Sequence, residues 1–227
     1  MTKSIARALD DIRRSIPQGV ELVAVSKFHP AEAVAEAYAA GQRAFGESRI
    51  QELLPKAAAL PADIRWHFIG HLQTNKVRQL VAARCVSLIE SVDSERLLRL
   101  IDDESMRAGT VTRVLLQAHV AAEETKFGFD PDELLAFFSE GRWRDLRASH
   151  ICGIMGMATN TDDTRRVAAD FRRLADLRKA IVEACPDLRG FDILSMGMSH
   201  DYASAIAEGS NMVRIGTAIF GQRDYAK

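Results

Sequence analysis

The chain has 227 residues and a formal net charge of −1, with 30 lysines and arginines against 31 aspartates and glutamates. A charge this close to zero gives no electrostatic reason to expect nucleic acid or an acidic membrane surface as a partner. The hydrophobic fraction of 47% excludes a disordered chain, and no apolar run approaches the roughly 20 residues that a membrane-spanning helix needs.

An N-terminal helix is predicted first, because Ile5, Leu9, Ile12 and Ile16 recur at helical spacing. After it, short apolar runs alternate with helical patterns along the rest of the chain. Eight of these runs are predicted as strands: residues 22–27, 43–47, 66–70, 86–89, 111–116, 150–155, 191–196 and 212–215.

Turn and cap residues separate these strands from the helices that follow them. Pro30 is placed to open the helix after the first strand, and Asp130 to cap the helix after the fifth. Pro55 should kink or divide the helix after the second strand, because proline has no N–H to donate. Ser199 is predicted as the N-cap of the helix after the seventh strand.

Eight strand-then-helix units with short connections predict an α/β fold, namely a closed (β/α)8 barrel of the TIM type with the N-terminal helix added. The sequence shows no linker rich in Pro, Gly or Ser, so residues 1–227 are predicted to form a single domain. A doubly wound α/β sheet with fewer strands is the alternative, because the second and fourth predicted strands are weak.

Lys27 stands at the carboxyl end of the first predicted strand, in the stretch AVSKFHP. Functional groups of βα barrels gather at this end of the strands. A lysine whose ammonium is desolvated there becomes an amine nucleophile that can form a Schiff base with an aldehyde. The alternative is a lysine that simply extends its aliphatic stem toward solvent.

Two turns rich in Gly, Ser and Thr follow the seventh and eighth strands at the same end of the predicted barrel. They contain Ser195 and Ser199 in the first turn, and Arg214, Gly216 and Thr217 in the second. Turns at these positions often build a phosphate site, although each glycine and serine here could equally serve a tight turn or a cap. A lysine opposite two such turns suits pyridoxal 5′-phosphate, which needs an amine for its aldehyde and an anion site for its phosphate.

The histidines and cysteines of the sequence do not predict a metal site. His67 is predicted as a buried, hydrogen-bonded residue and His71 as a candidate ligand contact nearer the strand end. Two histidines without further ligands do not make a metal site. The three cysteines lie far apart without a Cys-x-x-Cys motif, which argues against a zinc site or a disulfide framework and predicts a reducing cytoplasm.

Stretches spread over residues 22–221 carry a resemblance to a known family. They are AVSKFHP, FGESRIQE, WHFIGHLQTNK, ETKFGF, GIMGMA and LSMGMSHDYASAIAEGSNMVRIGTAIFG. In these motifs the sequence resembles the pyridoxal phosphate homeostasis protein family. The resemblance implies a barrel like that of bacterial alanine racemases, without the second, β-rich domain. It also implies bound pyridoxal phosphate, no established turnover, and a role in vitamin B6 and amino-acid homeostasis.

Carried over to this chain, the resemblance assigns the Schiff base to Lys27. It implies a phosphate site made by Ser195, Ser199, Gly216 and Thr217, and it brings Arg214 near the ring or the phosphate. An arginine at the pyridine nitrogen would leave that nitrogen unprotonated and weaken the ring as an electron sink. Lys126 matches a second family lysine; it is either a way-station for the cofactor or a solvated side chain.

The sequence is compatible with three functions. The first is a non-catalytic protein that stores or delivers pyridoxal phosphate in the cytoplasm, as a monomer, with pyridoxal-phosphate-dependent apoenzymes as candidate recipients. The second is a pyridoxal-phosphate enzyme of the racemase type, although Tyr38, Tyr202 and Tyr225 offer no evident opposite-face base. The third is a cofactor-free barrel enzyme that uses Lys27 on a phosphorylated sugar.

Overall fold

The computed structural model describes residues 4–123 and 127–222, and its strands form a closed barrel. The eight strands are β1 Glu21–Val25, β2 Ala44–Glu47, β3 Arg65–Phe68, β4 Val86–Val92, β5 Thr112–Gln117, β6 Ser149–Met155, β7 Ile193–Ser195 and β8 Met212–Ile215. They pair in parallel in sequence order, and β8 returns to pair with β1. The predicted barrel is therefore confirmed, and the open doubly wound sheet is wrong.

Helices connect successive strands and surround the barrel. They are α1 Ile5–Ser15, α2 Ala31–Ala39, α3 Ile50–Ala59, α4 Val77–Ala82, α5 Glu95–Ala108, α6 Pro131–Ser139, α7 Thr164–Ala184, α8 Tyr202–Ala207 and α9 Thr217–Phe220. Short 3₁₀ turns occupy Thr74–Lys76 and Arg142–Asp145. Across residues 4–123 and 127–222, none of the helices combines the length and apolar character that crossing a membrane requires.

Of the predictions about helix boundaries, the division of α3 at Pro55 and the cap at Ser199 are wrong. Pro55 does not divide α3, which runs as one helix from Ile50 to Ala59, and the alternative of a kink stays a prediction. Its inward side chains are buried on both sides of the proline, at Leu53 and Lys56, and this packing offsets the missing N–H. Ser199 is not a helix cap, because α8 begins only at Tyr202 with Asp201 before it.

The two faces of the strands bury two separate hydrophobic clusters, because successive side chains of a strand point to opposite faces. One cluster packs the outer face against the helices and includes Leu22, Ala24 and Phe45. The other fills the barrel interior and consists of Val23, Ala44, Leu88, Leu115, Cys152, Met155 and Met212. Along β1 the alternation turns Val23 and Val25 inward and Ser26 outward, which leaves the next residue, Lys27, at the mouth.

Candidate functional site

A cavity of about 320 Å³ opens at the carboxyl ends of the strands. It is lined by residues from distant parts of the chain: Val25, Lys27, Ile69, Met155, Met157, Met198, Ser199, His200, Arg214, Gly216 and Thr217. Five of the six predicted site residues are thus brought together; these are Lys27, Ser199, Arg214, Gly216 and Thr217.

The turn that carries Lys27 follows β1 directly. The amide of His29 donates to the carbonyl of Ser26 at 3.1 Å, which closes a four-residue turn around Lys27 and Phe28. The His29 ring stacks on Phe220 of α9, with ring centroids 5.1 Å apart. The lysine turn therefore packs directly against the helix that follows β8.

The turns after β7 and β8 are joined by a hydrogen bond from the amide of Gly216 to Ser199 Oγ, at 3.3 Å. A Cβ at Gly216 would lie 3.0 Å from the carbonyl oxygen of Val25, so a side chain there would press on β1. Thr217 opens α9, in which the amides of Ile219 and Phe220 already donate to the carbonyl of Gly216, at 2.8 and 2.9 Å. The amides of Thr217 and Ala218 at the start of the helix are therefore the α9 donors that could face an anion.

A buried polar layer lies beneath the cavity and centres on Glu90, which is 0% exposed. Glu90 Oε1 is 2.7 Å from His67 Nδ1, and Glu90 Oε2 accepts a hydrogen bond from Ser195 Oγ at 2.6 Å. Arg214 Nη1 donates to Ser195 Oγ at 2.5 Å and lies 3.7 Å from Glu90 Oε2. Arg214 Nη2 donates to the carbonyl of Gly156 at 3.1 Å. The arginine that faces the cavity is thus held from below.

Electrostatics explain why two opposite charges can be buried together in this layer. Burial alone would raise the pKa of Glu90, but the hydrogen bond from His67 and the charges of His67 and Arg214 hold that pKa below its ordinary value. Burial lowers the pKa of the Arg214 guanidinium, and the charge of Glu90 opposes this effect. The layer therefore keeps a carboxylate at Glu90 and a guanidinium at Arg214.

Ser195 is placed differently from the other predicted residues. It is 0% exposed and does not line the cavity, because its inward hydroxyl lies one layer lower and is already bonded to Glu90 and Arg214. Its predicted phosphate contact stays a prediction. In this arrangement the hydroxyl of Ser195 supports Arg214.

The histidines and tyrosines singled out in the sequence also have clear positions. The prediction for His67 is confirmed, since it is 4% exposed and bonded to Glu90. His71 is exposed, contacts Asp93 at 2.9 Å and lies outside the cavity lining. Tyr38 bonds to Asp63 and Tyr202 contacts Ser15, so neither lines the cavity. Lys126 and Tyr225 lie outside the described residues.

Sequence reasoning missed two groups of residues. Glu90 was overlooked because the fourth strand was predicted to end at Ile89, although an acid that continues an apolar run is itself a signal of a buried functional residue. Met157 and Met198 also line the cavity; both follow predicted strands, but no role was assigned to them, and His200 was not singled out. They come from loops, where no periodicity indicates which way a side chain points.

The donor set of the cavity fits pyridoxal phosphate. Lys27 supplies an amine for the aldehyde, and Ile69, Met157 and Met198 supply apolar surface for an aromatic ring. Ser199 and Thr217 supply hydroxyls to the lining, and Ser199 Oγ accepts from the amide of Gly216, where a Cβ would fill the space next to Val25. Amine, apolar wall and anion site therefore coexist in one cavity.

Comparisons with known proteins first define the class. Residues 2–224 match the family described as "Alanine racemase, N-terminal domain". The alanine racemase of Streptomyces coelicolor superposes with a TM-score of 0.75 at 22% identity, over 96% of this chain and 57% of that chain, and shares the fold. The protein is therefore a barrel of the alanine racemase class.

Closer relatives define the family. The "Pyridoxal phosphate homeostasis protein" of Schizosaccharomyces pombe is 38% identical over 99% of this chain and 95% of its own length. The structure of PipY from Synechococcus elongatus, solved with pyridoxal phosphate bound, has a TM-score of 0.86 and 37% identity, over 96% of this chain and 100% of that chain. This chain belongs to the pyridoxal phosphate homeostasis protein family, as the sequence motifs predicted.

Proposed function

We propose that this protein holds pyridoxal 5′-phosphate as a Schiff base on Lys27 and serves vitamin B6 and amino-acid homeostasis without catalytic turnover. The observation that carries the proposal is the single cavity in which Lys27 faces Ser199, Arg214 and Thr217. The name of the Schizosaccharomyces pombe relative and the pyridoxal phosphate bound to PipY support it.

The chemistry of attachment needs only one group of the protein. Lys27 would supply the amine that condenses with the aldehyde, with release of one water. Ser199 and Thr217 would donate hydroxyl hydrogen bonds to the phosphate, and Gly216, whose amide donates to Ser199 Oγ, would allow the phosphate to approach the backbone closely. The apolar side chains Ile69 and Met198 exclude water from the ring.

Arg214 favours holding the cofactor over catalysis. When bound, pyridoxal phosphate can stabilise a carbanion only as far as its ring nitrogen accepts electrons. A guanidinium does not give that nitrogen a proton, and Glu90 keeps Arg214 charged and fixed in place. Tyr38 and Tyr202 lie elsewhere, so neither offers the second base that a racemase uses.

An absorption spectrum tests the proposal. Purified protein incubated with pyridoxal phosphate should show the absorption band of a lysine Schiff base. Lys27→Ala should lose this band because the amine that forms the bond is gone. Lys179→Ala should keep it, since Lys179 is an exposed lysine paired with Glu183 on α7. A band that persists unchanged in Lys27→Ala would overturn the assignment.

The racemase alternative is tested on the same samples. Loaded protein is incubated with L- or D-alanine in deuterium oxide, and the α-proton is followed by NMR. A binding protein should leave that proton in place over many hours. Steady exchange that depends on Lys27 would instead establish an enzyme.

We also propose a cellular compartment, an oligomeric state and partners for the protein. We expect the protein to act in the cytoplasm, in keeping with unpaired cysteines such as Cys152 and Cys185. We expect it to be a monomer, because the cavity is assembled from one chain. Apoenzymes that depend on pyridoxal phosphate are the proposed recipients, and restored activity of such an apoenzyme on mixing with loaded protein would support transfer.

A further inference from the structure

The turn that presents Lys27 has an unusual backbone. Lys27 and Phe28 are the two central residues of the turn closed by Ser26 and His29. Phe28 has a φ of +66°, and it is one of two non-glycine residues with positive φ in residues 4–123 and 127–222. Type II turns require positive φ at this third position, where glycine is the usual residue. A phenylalanine there is strained, so something else must hold the turn.

The side chain that holds the turn comes from α3. Glu52 Oε2 accepts a hydrogen bond from the amide of Phe28 at 2.7 Å. This amide belongs to the central peptide of the turn, between Lys27 and Phe28, which the turn itself does not bond. Type I and type II turns differ mainly in the direction that this central peptide faces. A carboxylate fixed beside the Phe28 amide therefore favours the orientation with positive φ.

A buried ammonium group fixes Glu52 and the start of the turn together. Lys56, whose side chain is 8% exposed, lies 3.9 Å from Glu52 Oε2 and 2.6 Å from Glu47 Oε1. Its Nζ also donates to the carbonyl of Ser26 at 2.9 Å, the same carbonyl that closes the turn. On the outer side, Arg49 Nη1 is 3.6 Å from Glu52 Oε1, and the Arg49 guanidinium lies over the Phe28 ring at 4.5 Å.

We infer that Glu52, held by Lys56, is a positioning residue that selects the strained conformation of the turn and thereby directs Lys27 into the cavity. The inference rests on the proposed role of Lys27. It concerns a residue outside the cavity lining, since Glu52 acts only through the peptide between Lys27 and Phe28. Without Glu52 the turn should relax toward negative φ at Phe28, and the lysine should reach its aldehyde less often.

The binding experiment compares Glu52→Ala with two variants. Glu52→Gln retains a carbonyl oxygen that can accept from the Phe28 amide. Glu95→Ala is the matched control, because Glu95 also starts a helix, is similarly exposed and pairs with Arg99 and Arg142 far from the turn. Spectroscopic titration should show pyridoxal phosphate binding weakened by about tenfold in Glu52→Ala, the expected effect of losing one charge-assisted hydrogen bond. Glu52→Gln should recover most of this loss, and Glu95→Ala should bind normally.

The strain itself is tested by replacing Phe28 with glycine, which adopts positive φ at little cost. In a Phe28→Gly background, Glu52→Ala should weaken binding by less than about threefold, because the turn no longer needs to be forced. An undiminished loss in that background would overturn the inference, since Glu52 would then act by some route other than the turn.

A measurement without cofactor separates this inference from the proposed function. Hydrogen exchange at the Phe28 amide of ligand-free protein should be faster in Glu52→Ala and unchanged in Glu95→Ala. Equal protection in Glu52→Ala and the unmodified protein would overturn the inference whether or not Lys27 binds pyridoxal phosphate. If the unmodified protein forms no Schiff base while the exchange result holds, the proposed function fails and the role of Glu52 in the turn stands.

Discussion

At the residue scale, the inner polar layer depends on the pairing of two opposite charges. Arg214 is 5% exposed, and an unpaired guanidinium at such a site would cost several kcal/mol. Glu90 supplies the opposite charge, and Ser195 bridges the two side chains. The charge of the arginine at the cavity floor is therefore compensated by Glu90 while that carboxylate is ionised.

Replacing Glu90 tests this dependence. Glu90→Gln should lower the free energy of unfolding by about 3 kcal/mol at neutral pH, because it leaves Arg214 buried without its countercharge. The Glu90 pKa is lowered in the folded state, so its stabilisation is present above the unfolded carboxyl pKa of about 4.3 and is lost as pH falls through the folded value. Urea denaturation should therefore show a difference between the two proteins that shrinks below about pH 4.3.

Asp187→Asn is the control for this prediction. It removes a solvent-exposed partner of Arg144 and should change stability little. A Glu90→Gln protein as stable as the unmodified protein would contradict the prediction, because Arg214 would then not depend on Glu90 for its countercharge.

Several site residues could be predicted because their positions follow from strand order alone. Lys27, Ser199, Gly216 and Thr217 follow strands or open turns at one end of a barrel, and closure brings those ends together. Ser195 and Glu90 could not be paired in this way, since they lie on β7 and β4 and meet only across the interior. That contact depends on which side chains of the two strands point into the barrel at the same height. Because the fourth strand was predicted to end at Ile89, Glu90 was not recognised as one of them.

At the element scale, the segment from β8 into α9 lines one side of the cavity by close backbone approach. Gly216 lies against Val25 of β1, and its amide reaches Ser199 from the turn after β7. The end of β1, the turn after β7 and the turn after β8 are thus in contact at Gly216. The predicted division of α3 at Pro55 and the predicted cap at Ser199 were wrong because local cap and breaker rules do not include tertiary packing.

Gly216→Ala should separate binding from stability. The added Cβ would meet the Val25 carbonyl at 3.0 Å, so β1 or the turn must shift, and pyridoxal phosphate should bind at least about tenfold more weakly. Gly109→Ala is the comparison: its Cβ meets no atom within 4 Å, but its φ is +58° and it ends α5 far from the cavity. That variant should lose about 1 kcal/mol of stability with unchanged binding. Normal binding in Gly216→Ala would show that the phosphate does not depend on this approach.

At the scale of the whole molecule, ligand binding should stabilise the closed barrel. The cavity takes residues from β1 and from the turns after β7 and β8, so the unfolded chain has no equivalent site. Pyridoxal phosphate at about 100 times its dissociation constant should raise the free energy of unfolding by about 2.7 kcal/mol. Thermal denaturation checks this, with Lys27→Ala as the control that should show a much smaller shift. An equal shift in both proteins would assign the stabilisation to the phosphate alone.

The pairing of β1 with β8 joins residues such as Ala24 and Ile215 that are almost the full chain apart. During translation Lys27 therefore leaves the ribosome long before Ser199, Gly216 and Thr217 have been made. A nascent chain can assemble the proposed binding site only once the eighth strand has emerged and closed the ring, so we expect the ligand to be acquired after the barrel has formed.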